Sequence, residues 1–366
     1  MKIEFKNALS DIEKQNAQRL YQQLNDVSIF QLISFPALTS ANNKLKYVLA
    51  INAEESLVGY CVMTEAHSNS LPFIKTAKIQ YGPVCEKTEV EVSMLNEIYD
   101  YYKTLGYSSI EIQLRHLAGL ESEKIVAEAS KHFSFYHKYN KNNRCTIHID
   151  LTKTIDEIQK DFANVLLKNI RSAINKNVKV RLAVLDEEIK EFASLYMKMG
   201  NKRGTIHYTE TYLFDLCKFL IETQNGFLLC SFADEKMIGG GLFINQGDKT
   251  EYQIGATDPD FKKIPASHLV LFEAIKHAKE TGRKIFDMGG IGFYATPADQ
   301  IYNINQFKEN FSKNYVFYTK VLYVDMKPFY LKLLKMLSFI KSRWSWASWE
   351  YFWQPELWHT VEEPKD

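Results

Sequence analysis

The sequence predicts an α/β (α+β) protein built from two similar mixed-sheet domains in tandem, followed by an amphipathic, tryptophan-rich C-terminal tail. Three observations predict it. A strand, helix, glycine, strand succession occurs twice at an offset of about 175 to 180 residues, too long for a solenoid and suited to a duplicated domain. Each copy of the helix runs into a glycine. The chain has 366 residues, which would stretch one core and suits two.

In the first copy, Ser56–Thr64 (SLVGYCVMT) reads as a strand and Val90–Tyr102 as a helix. Gly106, after Leu105, stops that helix because glycine takes the left-handed conformation there at little cost. Tyr107–Gln113 then restarts as a strand. In the second copy, Lys236–Asn245 (KMIGGGLFIN) is the strand and Ala266–Glu280 the helix, with Leu269, Phe272 and Ile275 on one face. Thr281–Gly282 is the stop, and Lys284–Met288 (KIFDM) the strand that follows. The domains are placed at 1–150 and 151–325, with the tail at 326–366.

The second domain opens with a helix over Lys160–Asn177. Phe162, Val165, Leu166, Ile170 and Ile174 form its apolar stripe, with Asn164, Lys168, Arg171 and Asn175 opposite. A strand follows over Val178–Val184, alternating apolar residues with Lys179 and Arg181. From Phe162 to Leu185 there is no acid, so Lys168, Arg171, Lys179 and Arg181 are candidate contacts for an anionic ligand such as an RNA backbone. A solvated face is the plain alternative. In the tail, Met326–Trp349 carries five positive residues and no acid, and all five tryptophans lie between Trp344 and Trp358. Indoles prefer a boundary between apolar and wet surroundings, and basic amphipathic helices are drawn to anionic headgroups. Residues 326–358 are therefore a candidate membrane-surface segment, with packing on the domain or an oligomer contact as the alternatives.

Composition narrows the classes. Forty-five Lys plus Arg against 44 Asp plus Glu leave a formal charge of +1, which excludes a wholly basic nucleic-acid coater. Hydrophobic residues at 46% and charged residues at 24% exclude a disordered or fibrous chain. Five scattered cysteines suggest reduced thiols. With no secretory signal and no apolar run of about 18 residues, the expectation is a cytoplasmic protein, peripheral at most on the inner face of the plasma membrane. A monomer is the default.

The usual catalytic signatures are absent: no Gly-x-Ser-x-Gly elbow, no phosphate loop ending in Lys-Ser/Thr, no His-Glu-x-x-His and no Cys-x-x-Cys pair. No metal site is expected. Three stretches of the second domain remain. Asn201–Tyr212 (NKRGTIHYTETY) crowds Arg203, His207, Tyr208 and Tyr212 into a polar loop, with Tyr208 and Tyr212 four apart at a helix start. Glu251–Thr257 (EYQIGAT) is a strand whose Tyr252 and Ile254 are expected on one face. Ile285–Gly292 (IFDMGGIG) ends a strand in Asp287 and a glycine pair, which lets backbone amides approach a ligand. After a further polar loop, Ile304–Phe311 (INQFKENF) sets Lys308 between Phe307 and Phe311.

Taken in order, a helix with a basic face, MGNKRGTIHYTETYLFDL, EYQIGAT, the run ASHLVLFEAIKHAKETGRKIFDMGGI, and QFKENF resemble the FemABX family of peptidoglycan interpeptide-bridge aminoacyltransferases and its acetyltransferase-like neighbours. The likeness is densest over residues 145–325. Earlier, Ser28–Gln31 (SIFQ) and Tyr81–Cys85 (YGPVC) look like two further family landmarks. The resemblance implies a tandem pair of GNAT-like domains that transfers an amino acid from aminoacyl-tRNA to an amine of a nucleotide- or lipid-linked peptidoglycan precursor. It implies no metal, no permanently bound cofactor and no covalent enzyme intermediate. Carried residue by residue, Lys308 matches the lysine of the Phe-Lys motif, where a cation would stabilise the oxyanion. Tyr212 and Tyr252 match tyrosines lining the precursor site, and Phe307 and Gly289 match members of their motifs. Tyr208 stands where precursor-binding members carry an arginine, which removes a bidentate anion ligand that Arg115 or Arg203 would have to replace. The base is left open between Asp287, a tyrosine and the substrate itself, and Tyr208, Arg203 and Asp287 are also candidate substrate-binding residues.

Two other readings compete. One is an N-acyltransferase using acyl-CoA on a surface sugar or lipid-linked amine. The pyrophosphate loop Arg/Gln-x-x-Gly-x-Gly/Ala of such enzymes is replaced here by DPDFKKIPASHL (Asp258–Leu269), which favours aminoacyl-tRNA as donor. The other is a non-catalytic envelope-associated binding protein.

Overall fold

The computed structural model describes residues 1–25, 27–35, 44–67, 73–129, 131–136, 145–203, 206–293, 295–299, 301–319, 321–327 and 329. They form two compact units, Met1–Arg144 with the segment from Phe317 onward, and Cys145–Val316.

The first unit runs β1 (Lys2–Lys6), α1 (Asp11–Gln23), β2 (Lys44–Ile51), β3 (Leu57–His67), β4 (Lys75–Gln80), β5 (Val84–Cys85), α2 (Thr88–Thr104), β6 (Ser109–Gln113), α3 (Leu120–Ala129) and β7 (Ser134–Tyr136). Its sheet has the order β1-β2-β3-β4-β6-β15-β7, where β15 is Val321–Asp325. Helix α2 joins the parallel strands β4 and β6 and packs Met94, Leu95, Ile98 and Tyr102 onto Met63, Ile79, Ile110 and Ile112. Gly106 ends it at φ 70°, and the Tyr107 amide reaches back to the Tyr102 carbonyl at 3.0 Å, so the glycine stop is as expected.

SIFQ and YGPVC meet in this unit. The Gln31 side-chain amide donates to the carbonyls of Val62 (3.1 Å) and Gln80 (2.8 Å), and its oxygen accepts from the Val62 amide at 2.8 Å. It thereby closes the place where β3 and β4 part. A Cβ at Gly82 would stand 2.7 Å from that amide, which explains the glycine of YGPVC.

The second unit runs β8 (Cys145–Asp150), α4 (Ile155–Lys160), α5 (Asn164–Asn175), β9 (Lys179–Leu182), α6 (Asp186–Arg203), α7 (Glu210–Glu222), β10 (Gly226–Ala233), β11 (Lys236–Gln246), β12 (Lys249–Thr257), α8 (Ala266–Glu280), β13 (Ile285–Asp287), α9 (Tyr302–Glu309) and β14 (Tyr315–Phe317). Its sheet order is β14-β8-β13-β12-β11-β10-β9. The parallel pair β12–β13 is joined by α8, as β4–β6 is by α2. Both units thus carry the strand, helix, glycine, strand succession read from the sequence.

Five expectations change. The division expected at residue 150 falls after Arg144, because the strand Cys145–Asp150 pairs with β13 of the second sheet. Strand β15, placed in the second domain at 151–325, returns instead to the first sheet between β6 and β7. The helix expected over Lys160–Asn177 is two helices, because the Ala163 amide leaves the ladder to bond the Asn310 carbonyl at 2.9 Å. The core face of β9 is incomplete: as an edge strand it leaves Leu182 40% exposed, and Val184 beyond it is 60% exposed. Val165 and Ile174 of the expected α5 stripe are also exposed, while Leu166, Ile170 and Ala173 are buried. Of the tail, residues 328 and 330–366 lie outside the described residues, and with them the tryptophan-rich segment.

Candidate active site

Strands β12 and β13 pair only over Lys249–Glu251 and Ile285–Asp287 and then part. In the first unit the corresponding pair is joined over five positions, Thr76–Gln80 with Ser109–Gln113. The second sheet is therefore open where the first is closed, and the chemistry-bearing stretches gather at that opening.

Beyond Glu251 the strand carries a bulge. Ile254 faces Leu242 and Tyr252 faces Phe243, leaving Gln253 as the extra residue. Because Leu242 and Phe243 point to opposite faces, Tyr252 and Ile254 do too, which corrects the expectation that they share one. Tyr252 lies over the strand, its ring 5.5 Å from that of Phe243, and its phenol occupies the space a side chain at Gly255 would need. Gln253 hydrogen-bonds the phenol of Tyr208, whose ring stacks on Tyr212 at 5.3 Å and approaches Tyr196 at 6.3 Å. Burial raises both phenols, Tyr212 to about 12, so these tyrosines act as neutral hydrogen-bonding and stacking groups. Two of the three stretches singled out in the sequence thus meet at the bulge.

The third stretch completes the site. Helix α9 carries Lys308, 7% exposed, whose ammonium donates to the Gly290 carbonyl at 2.9 Å and stands 5.9 Å from the centre of the Tyr252 ring. Gly289 lies between them at φ 72°, and a Cβ there would come within 2.7 Å of the Tyr252 carbonyl and 3.4 Å of Lys308 Nζ. Phe307 packs edge-on against His268 at 4.9 Å and Phe311 at 5.8 Å. Burial pulls the Lys308 ammonium down to about 8, against the opposing influence of Asp287 and Glu251.

Asp287 is fully buried, and its carboxylate accepts from the Gly289 amide (2.8 Å), Lys249 Nζ (3.2 Å), His148 Nε2 (3.2 Å) and the Thr146 hydroxyl. Burial alone would raise this carboxyl, but Lys249 and the His148 and Thr146 hydrogen bonds prevail and hold it well below the carboxylate range. With no exposure and four donors, Asp287 is spent within its own domain, which removes it as a substrate ligand or base. Half-buried Glu251, which accepts from Gln246 at 2.9 Å, is pushed up by burial and by Asp287.

The expected anion contacts separate. Lys168 and Arg171 stand exposed on the outer face of α5, away from its buried Leu166, Ile170 and Ala173. Lys179 lies 3.8 Å from Glu235, and Arg181 pairs with Glu188 and covers the Phe232 ring at 4.3 Å, so these two are engaged along the edge strand. Arg115 donates to the Cys85 carbonyl at 3.3 Å inside the first unit. Arg203 ends α6, and its side chain lies outside the described residues.

Sequence reasoning missed Thr146, His148, Lys249, Glu251 and Asn305. The polar Thr146 and His148 alternating with Cys145, Ile147 and Ile149 were a signal for a polar sheet face, and Asn305 lies three residues before Lys308 on the same side of a helix. The pairing of His148, Asp287 and Glu251 across three strands has no counterpart in local sequence.

The architecture has known relatives. The family described as Acetyltransferase (GNAT) domain matches residues 163–303. The crystal structure of FemX superposes with a TM-score of 0.76 at 15% identity, covering 90% of this chain and 99% of that one. The chain shares the fold of FemX, and its second unit carries a GNAT domain. A tandem GNAT protein from the clavulanic acid biosynthesis pathway matches less closely, with a TM-score of 0.52, 9% identity, and coverage of 89% of this chain and 99% of that one. In sequence, the chain is similar to a Lipid II:glycine glycyltransferase of Staphylococcus haemolyticus (strain JCSC1435), 24% identical over 204 residues. The match takes in 53% of this chain and 47% of that protein, so it spans about half the length of this curated relative. Among the described residues no helix is long and apolar enough to cross a membrane, and no group of three or more His, Cys, Asp or Glu is placed to hold a metal ion.

Proposed function

We propose that the chain is an acyltransferase of cell-wall biosynthesis that moves an amino acid from aminoacyl-tRNA to an amine of a peptidoglycan precursor. The observation that carries this reading is the buried ammonium of Lys308 at the opening between β12 and β13, held on the Gly290 carbonyl. The relative named a Lipid II:glycine glycyltransferase supports the class of acceptor.

In this reading the acceptor amine, neutral, attacks the carbonyl carbon of the aminoacyl ester. The carbonyl oxygen becomes an oxyanion, and the Lys308 ammonium stabilises it within a low-dielectric site. Collapse of the tetrahedral intermediate forms the amide and expels the ribose oxygen of the tRNA, which takes up the proton shed by the amine. Tyr252, over the split, and the Tyr208–Tyr212 stack supply walls that orient the acceptor. Asn169 of α5 lies 3.3 Å from His268, which packs on Phe307 next to Lys308, so the exposed Lys168 and Arg171 stand one helix away from the chemistry and suit the phosphates of an acceptor stem.

The alternative donor is acyl-CoA, favoured by the acetyltransferase description of the matching domain family. Against it, the start of α8 is already closed by its own loop: the Ala266 amide bonds the Ile264 carbonyl at 2.8 Å and the His268 amide the Pro265 carbonyl at 3.2 Å. Those amides are the ones a pyrophosphate at that helix end would use. The test is purified protein incubated with charged bulk tRNA or acetyl-CoA in parallel, with precursor extract, and the acceptor weighed by mass spectrometry. A gain of an amino-acid residue supports the proposal, and an acetyl increment the alternative. No turnover with either donor would leave the binding-protein reading.

A further inference from the structure

We propose that Asp287 and Asn305 are the positioning residues of this site, clamping the turn Gly289–Gly292 from two sides and so fixing where the Lys308 ammonium stands. The inference rests on the transferase reading of Lys308 and adds how that group is held.

On the sheet side, the Asp287 carboxylate is anchored by Thr146 and His148 of β8 and Lys249 of β12, and it grips the Gly289 amide at 2.8 Å. The left-handed Gly289 then turns the chain so that the Gly290 carbonyl meets Lys308 Nζ at 2.9 Å. On the helix side, Asn305 closes a paired contact with Gly292, its oxygen accepting from the Gly292 amide at 3.1 Å and its nitrogen donating to the Gly292 carbonyl at 2.7 Å. Asn305 and Lys308 are one helical turn apart on α9, so both ends of the turn are tied to the helix that carries the ammonium. Asp287 and Asn305 are 0% and 5% exposed, which places them behind the site rather than in it. The carboxylate pairs directly with Lys249 and lies near enough to the Lys308 ammonium to favour its charged form. The groups that bear on that ammonium are Asp287 on β13 and Glu251 and the Tyr252 ring on β12, while Lys249 and His148 bear on Asp287.

The test reads Lys308 directly. Protein labelled with 13C-lysine is titrated by NMR, with Lys308→Arg identifying the signal, so no substrate is needed. In folded Asp287→Asn, which keeps the shape and loses the charge, the Lys308 titration should move about one pH unit lower or more. In the transfer assay the same variant should lower kcat at least about tenfold with KM within about twofold, and Asn305→Ala should lower kcat in the same way. An unmoved Lys308 titration in folded Asp287→Asn overturns the proposal. If that variant does not fold, Gly289→Ala displaces the turn from the Tyr252 carbonyl with the charge intact, and an unchanged titration there overturns it equally. A moved titration in a protein that transfers nothing would leave the clamp standing and reject the transferase reading instead.

Discussion

Lys308 Nζ donates to the Gly290 carbonyl at 2.9 Å, at the point where β12 and β13 separate. The contact joins a helix to a glycine turn over 18 residues of chain and sets a buried cation against the opening of the sheet. If that cation meets the oxyanion of acyl transfer, its removal acts on the transition state more than on binding.

Lys308→Met should therefore reduce kcat about 100- to 1,000-fold, the usual effect of losing one oxyanion partner, with KM changed little. The variant removes a buried charge and should unfold at an equal or higher urea midpoint.

The pH dependence follows from the depressed value of about 8 for Lys308. Activity that needs the ammonium should fall as pH rises through about 8, and Lys308→Arg, which does not titrate there, should lack that limb in a plot of kcat/KM against pH. Stability runs the other way: the folded state holds this proton less tightly than the unfolded chain, so Lys308 costs stability below about 8, and stability should rise with pH from there toward 10.5. Urea midpoints measured over that range check the sign.

Tyr252 leans along its strand because Gly255 leaves room for the phenol. Gly255→Ala should push the ring off the strand, lowering turnover about tenfold and stability by about 1–3 kcal/mol, read by transfer kinetics and urea unfolding.

In the first unit the side-chain amide of Gln31 satisfies the Val62 amide and the carbonyls of Val62 and Gln80. Gln31→Leu leaves these buried groups without partners and should cost about 2–4 kcal/mol in urea unfolding. A change below about 0.5 kcal/mol would mean that the plug does not close the sheet.

The sequence made the duplication legible because local chemistry marks it: Gly106 and Gly282 both adopt the left-handed conformation at helix ends, at φ 70° and 82°. The stretches that carry Lys308, Tyr208, Tyr212, Tyr252 and Gly289 stood out as ordered motifs, and the fold brings them together. What local pattern could not carry was anything set by strand pairing. The bulge at Gln253 sends Tyr252 and Ile254 to opposite faces although they are two residues apart. The return of Val321–Asp325 to the first sheet is a pairing with residues more than 180 positions earlier. Asp287, expected to face substrate, is claimed by Thr146 and His148 from a strand about 140 residues away. The basic run Phe162–Leu185 divides for the same reason, since pairing places Lys179 and Arg181 on an edge strand beside Glu235 and Glu188.

The central claim is that the Lys308 site transfers an aminoacyl group. Its most direct test is a parallel incubation of wild type and Lys308→Met with charged tRNA and cell-wall precursor, followed by the mass of the acceptor. Wild type should give an amino-acid increment that is at least about 100-fold slower to form with the variant. An increment that forms equally fast with both, or an acetyl group gained only from acetyl-CoA, would contradict it.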